Sequence, residues 1–410
     1  MIAAAVVFAL TYLVIGLQRV PRLHLGRPAG ALLGAAAMVG CGVLDFDAAR
    51  RAIDLDTILF LLGMMIVLAY LELSGFFEVV ERRVLGLATS ARALLWLVVL
   101  SSGLLSALFM NDTVCLMLTP VIVRVARRLD LPPVPYLVAL ATASNIGSCA
   151  TILGNPQNAL IAVRSGLSLL PFFGGLWPVT ALGLLIDGAF LAWLYRRRIT
   201  SAPIAVPPPR RAPEVSRWML AAALAAGAGL VVALAFGARP AAAAMAAAAA
   251  VVLAGAARPR RALQHVDWSL LLFFGGLFVV MRGVEEAGLA HLLVDGVAGP
   301  LAAGGAGALA RLGLAVTLLS QAVSNVPAVM LFLPGLEAAP AGAAPPLWLA
   351  LAAFSTLAGN LTIIGSVANV IVFESARRDG VEVGFVEYLR AGAPVTLATC
   401  AVAWAVLALR

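Results

Sequence analysis

Two short polar stretches interrupt long apolar sequence in the same way: Ser106-Ala-Leu-Phe-Met-Asn111-Asp112-Thr113 and Ser320-Gln-Ala-Val-Ser-Asn325-Val-Pro327. Each sets a serine five positions before an asparagine, so one hydroxyl and one amide carbonyl can converge where a helix ends. Backbone carbonyls released at the same place add further oxygens. Oxygen-only ligation suits a hard cation such as Na⁺, while the N–H groups and positive dipole of a helix starting at the asparagine suit an anion. The plainer alternative is that serine and asparagine only cap a hairpin tip.

A second pair of interruptions follows: Ser144-Asn145-Ile-Gly147-Ser148-Cys149-Ala-Thr151-Ile-Leu-Gly154-Asn155-Pro156-Gln157-Asn158, and Gly359-Asn360-Leu-Thr362-Ile-Ile-Gly365-Ser366-Val-Ala-Asn369. Gly and Pro inside apolar sequence release backbone groups from helical pairing, which is tolerable at membrane depth only where the break is buried in protein or lines a watery cavity. The breaks therefore read as walls of a site. Asn145, Thr151 and Asn158 in the first, with Asn360, Thr362 and Asn369 in the second, join Asn111, Thr113 and Asn325 of the tips as candidate substrate groups.

Asp112 is the one carboxylate inside a tip. A charged side chain at that depth costs roughly 2.5 to 3.5 kcal/mol on insertion scales, so it is paired, protonated or functional. It could supplement a cation site or carry a coupling proton; otherwise it caps the helix that follows. Asp187 also lies inside an apolar span, has no partner in a repeated motif, and reads as a packing or pairing residue. Cys115 and Cys149 flank the same motifs and invite a thiol role toward a metalloid, although small buried cysteines are common in helix packing.

These groups need elements that hold them in a bilayer. The chain is 62% hydrophobic and 12% charged over 410 residues, with apolar runs near the roughly 20 residues a spanning helix needs, which excludes a soluble globule. We read an all-α polytopic membrane protein with ten spans, at about 2–18, 29–45, 56–73, 135–162, 172–195, 217–237, 240–256, 267–281, 347–373 and 391–409. The basic residues are all arginine, and the net charge of +8 is what arginine-rich cytoplasmic loops produce, so nucleic acid is not an expected partner. Four cysteines without CxxC spacing indicate neither a disulfide framework nor zinc. The histidines His24, His265 and His291 lack HExxH spacing and no phosphate loop occurs, so neither a membrane-embedded protease nor an ATP-driven pump is indicated, and no enzyme activity or cofactor is expected.

Arginine also sets the topology. The stretch 92–128 is basic at both ends, which keeps both on one side and makes it a re-entrant helical hairpin with Asn111 at its tip. Its counterpart at 304–336 enters from the opposite face. Both halves carry the same anchors: Asp56, Asn111, Pro120, Thr151, Gly154 and Asn158, then Asp267, Asn325, Pro334, Thr362, Gly365 and Asn369. The outer anchors are 211 positions apart and the Asn/Pro pairs 214, so the halves are repeats in register. An odd number of crossings separates equivalent elements and the repeats are inverted, 1–198 and 218–410, joined by a cytoplasmic linker at 199–217. Paired Gly/Pro-interrupted segments of this kind point to the binding site of a secondary transporter.

The strings SNIGSCATILGNPQNALI and AGNLTIIGSVANVIV, with NDTVCLMLTPVIV and SNVPAVMLFLP, resemble the ion transporter superfamily over nearly the whole chain. That superfamily holds divalent anion/sodium symporters of the SLC13 type, arsenite permeases, citrate carriers and sodium/proton antiporters. The NDxxxxxLTPxI hairpin and the IGS break resemble the arsenite-permease-like anion-permease branch. In the sodium/dicarboxylate branch both tips read Ser-Asn-Thr, whereas here they read Met110-Asn111-Asp112-Thr113 and Ser324-Asn325-Val326-Pro327. The resemblance implies one cation site at Ser106 and Asn111 with backbone near Asn145 and Gly147, and another at Ser320 and Asn325. It further implies an ion-coupled carrier of an inorganic or carboxylate anion, symporter or antiporter, moving elevator-fashion. Na⁺ or H⁺ would be the coupling ion, in a homodimer embedded in the lipid bilayer of a bacterial inner membrane. The alternatives it leaves are arsenite or antimonite efflux, with a partner ATPase in some relatives, and sodium/proton exchange.

Overall fold

The computed structural model describes residues 1–17, 26–202, 215–255, 259–289, 305–337 and 344–410. Among these residues the chain forms 19 α-helices and one short 3₁₀ turn, in an order that repeats itself. The first half runs α1 (Ile2–Leu17), α2 (Arg27–Gly40), a short α3 (Phe46–Ala52), α4 (Leu55–Leu73), α5 (Phe76–Leu87), the hairpin arms α6 (Ala91–Leu108) and α7 (Asn111–Arg128), the halves of a broken helix α8 (Val134–Ser148) and α9 (Pro156–Ser165), then α10 (Leu169–Leu194). The second half repeats it as α11 (Arg217–Ala235), α12 (Pro240–Ala254), a short α13 (Pro259–Gln264), α14 (Trp268–Glu286), the hairpin α15 (Gly305–Val323) and α16 (Asn325–Glu337), the broken pair α17 (Ala344–Ala358) and α18 (Val367–Arg378), and α19 (Phe385–Ala408). Most of the expected linker, 203–214, lies outside the described residues, as do the last residues, 18 and 256, of two expected spans and the first residue, 304, of the expected second hairpin.

Every expected span and both hairpins have a helix, and both expected breaks interrupt one. Among the described residues seven helices are long and apolar enough to cross a membrane by length and composition, and the shorter apolar ones include α12, the outgoing arm α16 of the second hairpin and the entering broken half α17. The short α3, α5 and α13 were not expected; α5 carries Arg82 and Arg83 on an amphipathic helix ahead of the first hairpin. One anchor also shifts. Asp267 caps α14 by accepting from Leu270 N–H at 3.0 Å, and the residue that caps α4 the same way is Asp54, accepting from Thr57 N–H at 3.0 Å, not Asp56. A cap must stand one position before the first helical residue. Asp56 already lies in the first turn.

The two broken helices establish the inversion. The incoming half α8 packs on α18, the outgoing half of the other, and α9 packs on α17. Each entering arm lying beside the other's leaving arm means that the two run antiparallel, as a two-fold axis in the membrane plane requires. Around them α2 packs on α14 and α12 on α4, so scaffold pairs are exchanged between the halves. Lipid supplies no hydrophobic drive between spanning helices, so close backbone approach through small residues carries the packing. A Cβ on Gly63 would lie 2.5 Å from the Ala244 backbone and one on Gly276 2.7 Å from that of Ala31, one crossing in each exchanged pair. The helix α8 has no lipid-facing side, since every residue from Pro135 to Ser148 is buried. It is the centre of the molecule.

Candidate functional site

Asn145, in the last turn of α8, is 1% exposed and uses its whole hydrogen-bonding capacity. Its Oδ1 accepts from Asn111 Nδ2 at 3.0 Å and from Ser366 Oγ at 3.1 Å. Its Nδ2 donates to Asn360 Oδ1 at 2.9 Å and Asn369 Oδ1 at 3.0 Å. One amide thus ties the first hairpin tip to both breaks. Asn360 passes the connection on, donating to the Thr142 carbonyl at 3.1 Å.

Each break is closed by its own asparagine. Asn158 Nδ2 donates to the carbonyls of Ser148 and Thr151, both at 3.0 Å, and Asn369 Nδ2 to those of Gly359 and Thr362 at 2.8 and 3.1 Å. The acceptors are 211 positions apart, the spacing of the repeat. Contacts across the crossing obey the same relation: Asn155 Nδ2 donates to Thr356 Oγ1 at 3.0 Å where Ser366 Oγ donates to Asn145. Thr356 is therefore the mirror of Asn145. A hydroxyl has one hydrogen where an amide has two and a separate acceptor, so the centre is lopsided toward Asn145.

The two tips meet the breaks differently. Asn111 N–H donates to the Gly154 carbonyl at 2.9 Å, which stops the first tip at the level of the break. Gly147 allows this closeness, because a Cβ there would lie 2.1 Å from the Gly103 carbonyl oxygen of α6. At the second tip the turn is a single residue, Ser324, at φ 72°, and the Asn325 amide is satisfied when its nitrogen donates to the carbonyls of Ser355 (3.2 Å) and Gly365 (3.0 Å). The hydroxyls expected to accompany the asparagines, Ser106 Oγ and Ser320 Oγ, are both buried and without a hydrogen-bond partner. Thr151 Oγ1 donates to the Ala107 carbonyl at 2.5 Å and Thr362 Oγ1 to Gln321 Oε1 at 2.9 Å, each fastening a break to the hairpin of its own half.

Asp112 and Thr113 face a cavity of about 280 Å³ between α4 and α7, which also presents Glu72, His265 and Asp267. His265 Nδ1 lies 3.1 Å from Glu72 Oε1. The charges that bear most on Asp112 are Asp267 and, from the start of α2, Arg27. Toward the opposite ends of the helices, between α14 and α16, a larger cavity of about 480 Å³ presents Arg51, Arg164 and Arg282 with Glu285, Glu286 and Glu337; Arg164 is paired with Glu337 at 2.6 Å.

The structure thus brings Asn111, Asn145, Asn360 and Asn369 into one lattice, keeps Asn158 and Thr151 within the first break, and sets Asp112 and Thr113 on a separate wall. The amides expected to serve a substrate hold the breaks to each other in this arrangement. Ser366, Thr356, Gln321 and Tyr388, which accepts from Asn369 Nδ2 at 2.8 Å, belong to the lattice and were not expected. Extending the 211-residue register residue by residue would have found Ser366 and Thr356. For Arg27 no sequence signal exists, because only the packing of α2 on α14 brings it near Asp112.

A family profile described as CitMHS, citrate transporter, matches residues 10–354. The chain belongs to this family. Relatives align along nearly its whole length: the rice silicon efflux transporter LSI3 is 31% identical over 98% of this chain and 96% of its own. A 46 kDa membrane protein of Mycobacterium leprae is 32% identical over 100% and 98%. The Escherichia coli inner membrane protein YbiR is 30% identical over 79% and 81%. Among solved structures the YdaH transporter of Alcanivorax borkumensis superposes with a TM-score of 0.55, covering 92% of this chain and 95% of its own at 17% identity, a likeness of fold. This member of the citrate transporter family is a multi-pass membrane transporter.

Proposed function

We propose that the chain is an ion-coupled secondary transporter of a small oxygen-rich solute, working by alternating access as the hairpins and broken helices shift against the exchanged pairs α2–α14 and α4–α12. The observation that carries this reading is the pair of buried hydroxyls, Ser106 and Ser320, each without a partner at the tip of its hairpin. An unsatisfied buried hydroxyl costs about 1–3 kcal/mol. The same cost at repeat-related places supports a ligand rather than an accident of packing. Ser106 and Asn111 with the backbone near Asn145 and Gly147, and Ser320 with Asn325, are hard-oxygen sets suited to Na⁺, and Asp112 adds a carboxylate or a proton carrier.

For the solute, the wall beside the first tip favours an uncharged oxyacid. Glu72, Asp112 and Asp267 on one cavity would repel a polyanion such as citrate, whereas a neutral hydroxylated species, arsenous or silicic acid, meets acceptors for its O–H groups. The name of the rice relative, a silicon efflux transporter, agrees with this. An inorganic or carboxylate anion is the second reading: Arg27 lies close enough to act on the same wall, and α7 and α16 begin at the tips with their positive ends inward.

The test is flux into proteoliposomes of purified protein, using arsenite, silicic acid, citrate, succinate, phosphate and sulfate, with Na⁺ present or replaced by choline and with or without a pH gradient. Saturable movement of arsenite or silicic acid that needs one of the gradients is the expected result. A Na⁺-dependent current with citrate alone would replace it by the anion reading, and silence with every solute and gradient would overturn both.

A further inference from the structure

Asp187 is the only titratable residue of α10, and it is 0% exposed. Its Oδ2 lies 3.0 Å from Thr142 Oγ1 of α8, while Oδ1 is buried without a hydrogen-bond partner, and among the described residues no cation pairs with it. An ionised carboxylate in such a place would have one oxygen wholly uncompensated, and buried charges in membrane proteins are instead paired, hydrated or neutralised.

The contact with Thr142 indicates which. Thr142 Oγ1 is also 3.0 Å from the carbonyl of Val138, the back-bond one helical turn earlier that threonine commonly makes. A hydroxyl has a single hydrogen. A carbonyl oxygen cannot donate and neither can a carboxylate, so with an ionised Asp187 the one hydrogen would be shared between the two 3.0 Å contacts, whereas a protonated Asp187 brings a second hydrogen and makes each a full hydrogen bond. The lone pair of Thr142 then accepts from the Asp187 carboxyl, and its own hydrogen goes to Val138.

The surroundings offer no competing charge. The helices packed on α10 are α6, α8, α11, α17 and α19. Their titratable side chains are Arg92 at the start of α6, Tyr136 at the start of α8 with Cys149 at its end, Arg217 at the start of α11, none in α17, and Glu387, Tyr388, Arg390 and Cys400 in α19. Of these, Tyr388 is close enough for its electrostatics to register Asp187, and it is a phenol. Glu387 is paired with Arg198 at 2.6 Å. Thr142 in turn stands one turn before Asn145, and its carbonyl accepts from Asn360, so the carboxyl connects to the first hairpin tip through Thr142, Asn360, Asn145 and Asn111.

We infer that Asp187 is a proton-binding site distinct from Asp112, loaded in the arrangement described here and joined to the crossing of the broken helices through Thr142. On release the proton passes from the carboxyl to a water molecule, leaving a carboxylate and a hydronium ion. A role in coupling rests on the transporter reading; the proton site itself does not.

Infrared spectroscopy of the purified protein in lipid tests it. At neutral pH the wild type should show the carbonyl band of a buried carboxylic acid, lost in Asp187→Asn and kept in Asp112→Asn. Thr142→Val should shift that band to the position of an acid without a hydrogen bond. In D₂O the band should move in the folded protein, because a carrier must exchange. Replacement of one neutral group by another should leave the melting temperature of Asp187→Asn close to that of the wild type. No band assignable to Asp187, or a band that never shifts in D₂O, would overturn the inference. If no solute moves in the flux assay the transporter reading fails, while the infrared result is read on its own.

Discussion

The two hairpin tips descend from one repeated pattern and have taken different chemistry. The first carries Asn111, Asp112 and Thr113, reaches the central amide of Asn145, and adjoins a cavity with Glu72, His265 and Asp267. The second carries Asn325, Val326 and Pro327, turns through one left-handed residue, and sends its asparagine amide to the carbonyls of Ser355 and Gly365. What they share is the asparagine and the unpartnered serine behind it. The shared part fits a common cation-binding task, and the part found in one tip only fits coupling or solute selection, for which one copy suffices. Internal repeats constrain the features that both halves need and free the rest to diverge.

The comparison predicts a graded set of losses. Asn145→Ala has the largest. It would leave Asn111, Asn360, Asn369 and Ser366 each short of a buried partner, at about 1–3 kcal/mol for each unsatisfied group. Flux should vanish and unfolding in detergent should show a drop of at least ~3 kcal/mol. Its mirror Thr356→Ala should cost only about 1 kcal/mol; equal effects at the two positions would remove the asymmetry proposed for the crossing.

Next come the tips. Asn111→Ala and Asn325→Ala should each abolish transport while expression and membrane insertion persist, and full activity in both would remove the proposed sites. Asp112→Asn should act on one property: the pH profile of flux flattens, with solute affinity changed less than the profile. An unchanged profile takes the proton role from Asp112 and leaves it as a cap or a wall of the cavity.

The smallest loss of stability, and the most selective effect on function, is expected for the serines. Their hydroxyls have no partner to lose and are costly to bury unsatisfied, so in the absence of the ion Ser106→Ala and Ser320→Ala should be no less stable than wild type and should gain up to about 1–3 kcal/mol. The Na⁺ concentration giving half-maximal flux should rise about tenfold in each, equivalent to about 1.4 kcal/mol of binding. A clear loss of stability with unchanged ion dependence would show that the hydroxyls serve packing alone.

Much of this molecule was legible along the chain. The Gly and Pro of 144–158 and the Gly of 359–369 fall where α8 and α17 end, because backbone that cannot continue a helix in an apolar run is visible in residue type. The hairpins were legible from arginines at both ends of one apolar stretch, and the repeat from anchors at a fixed spacing. Helices α3, α5 and α13 were not, being too short or too polar to register as spans. The exchange of α2 and α12 between halves was equally hidden, since periodicity within a helix does not say which distant helix fills its grooves.

By itself, then, the sequence determined a membrane-embedded, internally duplicated transporter and the residues around which its polar centre is built, because apolar length, charge placement and helix-breaking residues are local properties. Only the tertiary structure decided what those residues do to one another. It spent the amides of Asn145, Asn158, Asn360 and Asn369 on holding the breaks together, left Ser106 and Ser320 without partners, carried Arg27 to the neighbourhood of Asp112, and gave Asp187 a threonine instead of a counter-ion. Hydrogen-bond saturation and burial depend on neighbours that lie more than 200 positions apart in the chain, and those neighbours are chosen by the antiparallel crossing of the two broken helices.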